Sequence, residues 1–325
     1  MRDAPEMTSE LPKLAWTDRP ATGKRVTYVM TTRNKLAYLQ ESIPRFLEAI
    51  RTGDEELIVV DGDSTDGSRE YLADVAQRGG IDWLLSERDY CEAHALNKAL
   101  LAARGAYITI LTDDDVFDFG VLRGLHDYLD AHPDVSVAYP SGADTRWDRP
   151  PFVELSEEND VLRIRAAIED TTRPILFSGL GLTFRRDALP EIGLFDLNLR
   201  RVDVALSCRL TASPVPVAAC TAIGYVRILN ELSLTVGMEA RNFEEKKRIT
   251  GFYGGGGYLS GGYLLREFVK RVGERLSPAE RGNGEARAIR LAATAPLSPA
   301  ERIGLAEAWL RDANAGRAVQ FVRRR

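Results

Sequence analysis

Two short stretches carry more carboxylates than packing alone requires. In "ELIVVDGDSTDGSREYL" (Glu56–Leu72) an apolar run ends in Asp61-Gly62-Asp63-Ser64-Thr65-Asp66-Gly67. In "TILTDDDVFD" a second apolar run ends in Asp113, Asp114 and Asp115. An Asp-x-Asp-x-Thr directly after a buried strand can present an aspartyl nucleophile to a phosphate. An Asp-rich Ser-Thr-Asp-Gly turn can equally hold a nucleoside. The triplet poses an electrostatic problem, because three adjacent carboxylates stay ionised together only beside a cation or in abundant solvent. Hard oxygen ligands of this kind suit Mg²⁺ or Mn²⁺, which would bridge to the diphosphate of a nucleotide. The competing reading is a solvated acidic loop.

Both clusters need elements to position them. "RVTYVMTT" (Arg25–Thr32) reads as a buried strand and "YLQESIPRFLEAI" (Tyr38–Ile50) as a helix that Pro44 should bend. "ELIVVDG" is a second strand, "SREYLADVAQ" a helix and "IDWLLSE" (Ile81–Glu87) a third strand. "EAHALNKALLAA" (Glu92–Ala103) is a helix, and "AYITILTDDD" a fourth strand. This alternation predicts right-handed βαβ units on a mostly parallel, Rossmann-like sheet flanked by helices, an α/β fold. Ligands of such sheets bind at the carboxyl ends of the strands. Each acidic cluster sits at such an end.

With 325 residues, 44% hydrophobic and 28% charged, the chain reads as an ordinary globular protein. Cys91, Cys208 and Cys220 are far apart and form no CxxC pair, which argues for a reducing, cytoplasmic setting and against a structural zinc site. No secretory signal is visible near the start, and no apolar stretch reaches the ~20 residues of a membrane span. The net charge of -5 divides unevenly: Gly262–Arg325 holds 13 Lys/Arg against 7 Asp/Glu, leaving an acidic body. An acidic body argues against nucleic acid as a partner.

Four segments then fall in a telling order: "MTTRNKLAYLQESI", "IVVDGDSTDGSREYL", "LLSERDYCEAHALNKALLAARGAYI" and "LTDDD". Together they resemble the nucleotide-binding half of family 2 glycosyltransferases of the GT-A fold, whose forms are T-x-x-N, V-D-(D/G)-G-S-T-D-G-T, S-E-x-D-x-G-x-x-D-A-x-N-K-G and a D-x-D-type cluster. The resemblance is strong over Arg25–Asp115 and runs on weakly to about Leu234. It implies a nucleotide-diphosphate sugar donor, with Thr31, Arg33, Asp61 and Asp63 lining the base and ribose pocket. Glu87, Asp89, Asn97 and Lys98 would sit beside it, Asp113 would hold ribose, and Asp114 and Asp115 would hold Mn²⁺ or Mg²⁺. Gly62 stands where many members carry a base-contacting Asp, and Cys91 and His94 replace a usual Gly and Asp. A haloacid-dehalogenase-type phosphatase with Asp61 as nucleophile would leave "SERD…ALNK" and the second half without a role.

The resemblance continues in "GLTFRRDALPEIGLFDLNLRRVDVALSCRL", where the family carries a Phe-Asp turn and then a Glu-Asp pair at a helix start. Here that pair is Val202-Asp203. An inverting transfer requires a carboxylate to take the acceptor hydroxyl's proton, and Asp203 is the candidate; the plainer alternative is a helix N-terminal acid complementing the dipole. Arg227, with Asn230, stands where relatives place a residue near the diphosphate. No Q-x-x-R-W segment is found, which favours a single-addition transferase over a polysaccharide synthase. The missing Glu leaves a second class open, a catalytically impaired nucleotide- or glycan-binding GT-A protein.

The expected organisation is an N-terminal arm (1–24), a nucleotide-sugar half (25–115), an acceptor half (116–236) and a Gly-rich, helical C-terminal extension (237–325). "GFYGGGGYLSGG" carries seven glycines in twelve residues and reads as a lid or a linker. Leu265, Phe268, Val269, Val272 and Leu276 share one helical face. That helix and the closing "FVRRR" could rest on an anionic membrane, where lipid-linked acceptors reside, or pack on the catalytic core. The expected acceptor is a hydroxyl of a glycan or lipid-linked sugar, in surface polysaccharide or glycolipid biosynthesis.

Overall fold

The apolar run Leu57–Val60 lies in β2 (Glu55–Asp61), a strand buried along its whole length. Continuous rather than alternating hydrophobicity is what a parallel strand covered on both faces requires. The computed structural model describes residues 23–50, 53–145, 147, 152–156, 175–230, 232–233, 239–253 and 297–324. The expected N-terminal arm, all but the start of the glycine-rich stretch and the helix over 263–276 lie outside these residues.

β2 pairs in parallel with β1 (Val26–Thr32) and β3 (Trp83–Ser86), and β1 pairs in parallel with β4 (Tyr107–Thr112). The crossovers are α1 (Leu36–Ala49), α2 (Ser68–Gln77) and α3 (Glu92–Ala102). Residues of opposite parity feed opposite layers. Val29, Ile58, Val60, Ile108 and Ile110 pack with Ala93, Leu96 and Leu100 of α3. Tyr28, Met30, Leu57 and Val59 pack with Leu39, Ile43 and Phe46 of α1. Each fully buried aliphatic side chain contributes on the order of 2 kcal/mol. α1 runs through Pro44, which is exposed beside an exposed Gln40. The carbonyl that Pro44 leaves without a helical donor can therefore be served by water.

The second half extends the sheet. β5 (Val116–Phe117) and α4 (Phe119–Ala131) lead to β6 (Val137–Thr145), with β7 (Val153–Leu155) on its edge. β8 (Thr183–Arg185) lies antiparallel between β4 and β6 and is followed by a short 3₁₀ turn and α5 (Leu189–Ile192). α6 (Val202–Ala212) precedes β9 (Val217–Arg227), which is parallel to β6 and antiparallel to β5. α7 (Glu239–Phe252), α8 (Pro299–Asn314) and β10 (Phe321–Arg324) complete the described chain. The main order is β10-β9-β6-β8-β4-β1-β2-β3. The order reverses between β1 and β4, opening a crevice at their carboxyl ends. The mostly parallel expectation holds for the long ladders, while antiparallel strands join and edge them.

The closing Phe321–Arg324 forms an edge strand antiparallel to Val217–Cys220. The free edge of β9 offers unpaired backbone groups, Phe321 stacks on Tyr128 at 3.9 Å, and Arg323 pairs with Asp134 at 2.9 Å. α8 packs on the core through Ile303, Ala306 and Leu310. Among the described residues, no helix is long and apolar enough to cross a membrane.

α4 buries His126 completely beneath β4, with Nε2 2.9 Å from the Thr109 hydroxyl and the ring stacked on Tyr107. Burial first, then the charge of Arg25, pushes its pKa down to about 4. Below the unfolded value of about 6.5 the unfolded chain binds a proton that the folded chain does not, so stability falls with pH down to the folded value. Between about pH 7.5 and pH 5 the wild type should lose about 2 kcal/mol that His126→Leu keeps. Urea midpoints at the two pH values measure this difference. Parallel losses in the two proteins would show that His126 is not its source.

Candidate active site

The carboxyl ends of β1 and β4 open into a cavity of about 370 Å³ that β9 and the loops before α3 and α6 close. The acidic triplet forms its floor and is bonded in detail. The Thr32 hydroxyl donates to Asp113 Oδ2 at 2.7 Å, and the Ser42 hydroxyl to the Asp113 carbonyl at 2.8 Å. The Lys35 ammonium donates to Asp114 Oδ2, which also accepts from Asn230 Nδ2 at 2.7 Å. Asp115 accepts from the Thr112 hydroxyl at 2.5 Å and from the Ile228 N–H at 2.6 Å.

These bonds do not neutralise the cluster. Burial, reinforced by Asp114, raises Asp113 to about 7 against the opposing influence of Lys35 and Thr32. Burial and Asp114 raise Asp115 well above the ordinary carboxylate range. Glu92 stands across the cavity, open to its interior yet walled by protein; burial, then Asp203, Asp113 and Asp114, raises it to about 7. The carboxylate floor is therefore short of positive charge. Its oxygen donors and surplus negative charge fit a hard divalent ion. Among the described residues, however, no three carboxylate, histidine or cysteine groups already converge on one point.

Of the residues expected from sequence, Thr31, Arg33, Asp89, Asp113, Asp114, Asp115, Asp203 and Arg227 line this cavity together. Asp203 sits in the first turn of α6, where its Oδ1 accepts the Val204 N–H at 2.8 Å, with Arg201 Nε 3.9 Å away. Arg227 faces the cavity while pairing with Asp144 at 2.8 Å. Gly62 also lines it, and a Cβ there would approach Asp89 Oδ2 to 3.1 Å and the Arg33 side chain to 3.4 Å. Any larger residue at Gly62 would crowd both.

The other expected residues turn away and brace the walls. Asp61 is 0% exposed, held by the Ser64 N–H at 3.2 Å, the Ser64 hydroxyl and the Ser86 hydroxyl at 2.5 Å. A carboxylate so enclosed cannot attack a phosphate. Asp63, in the left-handed region at φ 65°, pairs with Arg69. Lys98 bridges Glu87 at 2.7 Å and Asp89 at 2.5 Å. Asn97 is buried, donating Nδ2 to the Phe195 carbonyl and accepting the Phe195 N–H, both at 2.8 Å. Asn230 supports Asp114 from a fully buried position.

Lys35, Tyr90, Glu92, Arg200 and Arg201 also line the cavity and were not singled out from sequence. Lys35 and Glu92 occupy variable positions of motifs whose fixed positions drew attention. Arg200-Arg201 had a readable signal, a basic pair directly before a helix whose first turn carries an acid.

A family model described as Glycosyl transferase family 2 matches residues 27–193, just over half of the chain. The fold is similar to that of TarS from S. aureus. One TarS crystal structure is 15% identical over 69% of this chain and 38% of that one, with a TM-score of 0.50. TarS 1-349 in complex with UDP-GlcNAc is 15% identical over 70% of this chain and 65% of that one, with a TM-score of 0.51. The mannosyltransferase PcManGT from Pyrobaculum calidifontis, in complex with GDP-Man and Mn²⁺, is 19% identical over 93% of this chain and 81% of that one, with a TM-score of 0.51. This chain thus spans well under half of the longer TarS chain. At these identities the likeness is one of fold.

The Asn97 clamp ties α3 to the segment that carries the approach to Asp203. Replacing Asn97 by Ala leaves the Phe195 N–H and carbonyl without their partner, at a cost of about 3 kcal/mol. Thermal unfolding of Asn97→Ala should show a Tm lower by roughly 5 °C. An unchanged Tm would show that the clamp is dispensable.

Proposed function

The chain belongs to glycosyl transferase family 2, and from that premise we propose that it transfers a sugar from a nucleoside-diphosphate donor to a hydroxyl acceptor. One observation carries this reading: a single cavity at the β1/β4 crevice is lined both by the carboxylate floor and, from the other half of the chain, by Asp203. The donor's nucleoside lies toward Thr31, Arg33 and Asp89, with Asp61, Asp63, Glu87, Asn97 and Lys98 supporting that wall. The sugar reaches toward Asp203. The likeness to structures bound to UDP-GlcNAc and to GDP-Man supports a nucleotide-sugar donor and leaves its base open.

Asp203 takes the acceptor hydroxyl's proton as that oxygen forms its bond to the anomeric carbon. On the opposite face the bond to the diphosphate breaks, so the configuration inverts. A divalent ion, held by Asp114 and Asp115, would supply positive charge to the leaving diphosphate. Arg33 and Arg227 face the same cavity and add positive charge to it. The acceptor is a hydroxyl of a glycan or a lipid-linked sugar, in keeping with surface-polysaccharide or glycolipid biosynthesis. Within the basic C-terminal segment, Arg323 pairs with Asp134 of the core at 2.9 Å.

Thermal unfolding against UDP, GDP, dTDP and CDP, each with and without Mn²⁺, tests the donor site. The cognate nucleotide at about 100 times its Kd adds about 2.7 kcal/mol and raises Tm by several degrees, more so with metal. No shift with any of the four would sink the reading. A second test concerns the base. Asp203→Asn should fold, keep that nucleotide shift and lose on the order of 10²-fold or more in turnover. Turnover retained in that variant would remove Asp203 from its role.

A further inference from the structure

Lys35 is the buried cation nearest the carboxylate floor. It is 9% exposed, its ammonium donates to Asp114 Oδ2, and Asp113 Oδ1 lies 4.0 Å away. Its backbone cannot drift. The Lys35 N–H donates to Ser68 Oγ at 3.2 Å, and its carbonyl accepts the Tyr38 and Leu39 N–H groups that open α1. The Tyr38 ring lies 5.6 Å from the ammonium, and the Tyr38 hydroxyl accepts from Arg302 Nη1 of α8 at 2.8 Å.

The ammonium therefore sits on a carboxylate that would hold a divalent ion, whose bonds to oxygen run to ~2.0–2.6 Å. Two cations so close repel each other strongly in a poorly solvated site. We propose that Lys35 is a tethered competitor for the metal position, which keeps the floor partly neutralised and makes divalent-ion binding depend on a new anionic partner for its ammonium. A nucleoside diphosphate entering the same cavity is such a partner. Once Lys35 turns to the diphosphate, Asp114 is free for the ion, so nucleotide and ion strengthen each other's binding reciprocally. The inference rests on the donor-site reading for the nucleotide alone. Competition between Lys35 and the ion is a property of the protein without it.

The experiment is calorimetric titration of Mn²⁺ into wild type, Lys35→Met and Lys35→Arg, first without nucleotide. Lys35→Met should bind Mn²⁺ at least tenfold more tightly than wild type, whereas Lys35→Arg keeps the charge and should stay within a few-fold. UDP or GDP, whichever shifts the wild type, should then tighten Mn²⁺ binding in wild type by a larger factor than in Lys35→Met. Should Lys35→Met fail to fold, the wild type answers through the Lys35 amine. Acetylation by a small amine-reactive ester, quantified on the Lys35 peptide, should rise when Mn²⁺ is added, because displacement from Asp114 frees the amine. Equal or weaker Mn²⁺ binding in folded Lys35→Met, or unchanged Lys35 acetylation with Mn²⁺, overturns the inference. A nucleotide shift in wild type would survive either result, so loss of this inference is distinguishable from loss of the transferase reading. Absence of Mn²⁺ binding in all three proteins overturns the inference and the metal-dependent form of that reading together.

Discussion

Three carboxylates buried side by side are the constraint around which the rest of the fold is arranged. Burying an ionised group without a partner costs several kcal/mol, so Asp113–Asp115 are tolerable only if surrounding elements supply donors and charge. Those donors come from distant parts of the chain. β1 supplies Thr32, the segment entering α1 supplies Lys35, α1 supplies Ser42, and the segment after β9 supplies the Ile228 N–H and Asn230. Asp115 in particular accepts a bond from a residue 113 positions later. The acidic turn thus ties the half of the chain before it to the half after it, and a site of this chemistry cannot form until both have folded.

The C-terminal residues enter the same network. Arg302 of α8 is buried, donates to the Tyr38 hydroxyl and lies 5.9 Å from the Trp147 ring. Tyr38 in turn faces the Lys35 ammonium. Asn314 at the end of α8 donates to Asp118 and to the Ile223 carbonyl, both at 2.8 Å, on the strand pair β5/β9 that follows the acidic turn. A segment some 190 residues beyond that turn therefore buttresses both of its flanks. This makes the terminal helix and strand part of the catalytic domain's support rather than an appendage.

The nucleotide half was legible because its signals are local. Continuous apolar runs gave the parallel strands, and the span of α2 read from sequence matches the observed Ser68–Gln77. What sequence could not give was direction. Asp61, Asp63, Asn97 and Lys98 belong to the same motifs as Arg33 and Asp89, yet none of them lines the cavity: Asp61, Asn97 and Lys98 are bonded into its walls and Asp63 pairs with Arg69 at the surface. A strand-end carboxylate can point to the ligand or turn back on its own loop, and only neighbours such as Ser64 and Ser86 decide which. Lys35 and Glu92 were invisible for the converse reason, since they stand beside or between the fixed motif positions and gain meaning only from the opposing acids. The C-terminal strand escaped because four residues carry little propensity, and the edge of β9 that recruits them is a tertiary feature.

The charges of the cavity then restrict how any donor can enter it. On the proposed reading a nucleoside diphosphate, an anion, approaches a floor whose carboxyl groups are already forced upward in pKa by one another and by burial. An anion cannot settle there unless a cation stands between. Arg227 is engaged with Asp144, and Arg201 lies beside Asp203. Lys35 has its ammonium at the floor itself, and a divalent ion is the other species small enough for that position. Both would occupy the interval between carboxylate and phosphate, and their like charge keeps them from sharing one oxygen. If Lys35 competes with the ion as proposed, the placement of the three acids at the end of β4, the lysine at the start of α1 and the crevice between β1 and β4 makes one demand: cation exchange at Asp114 accompanies donor binding.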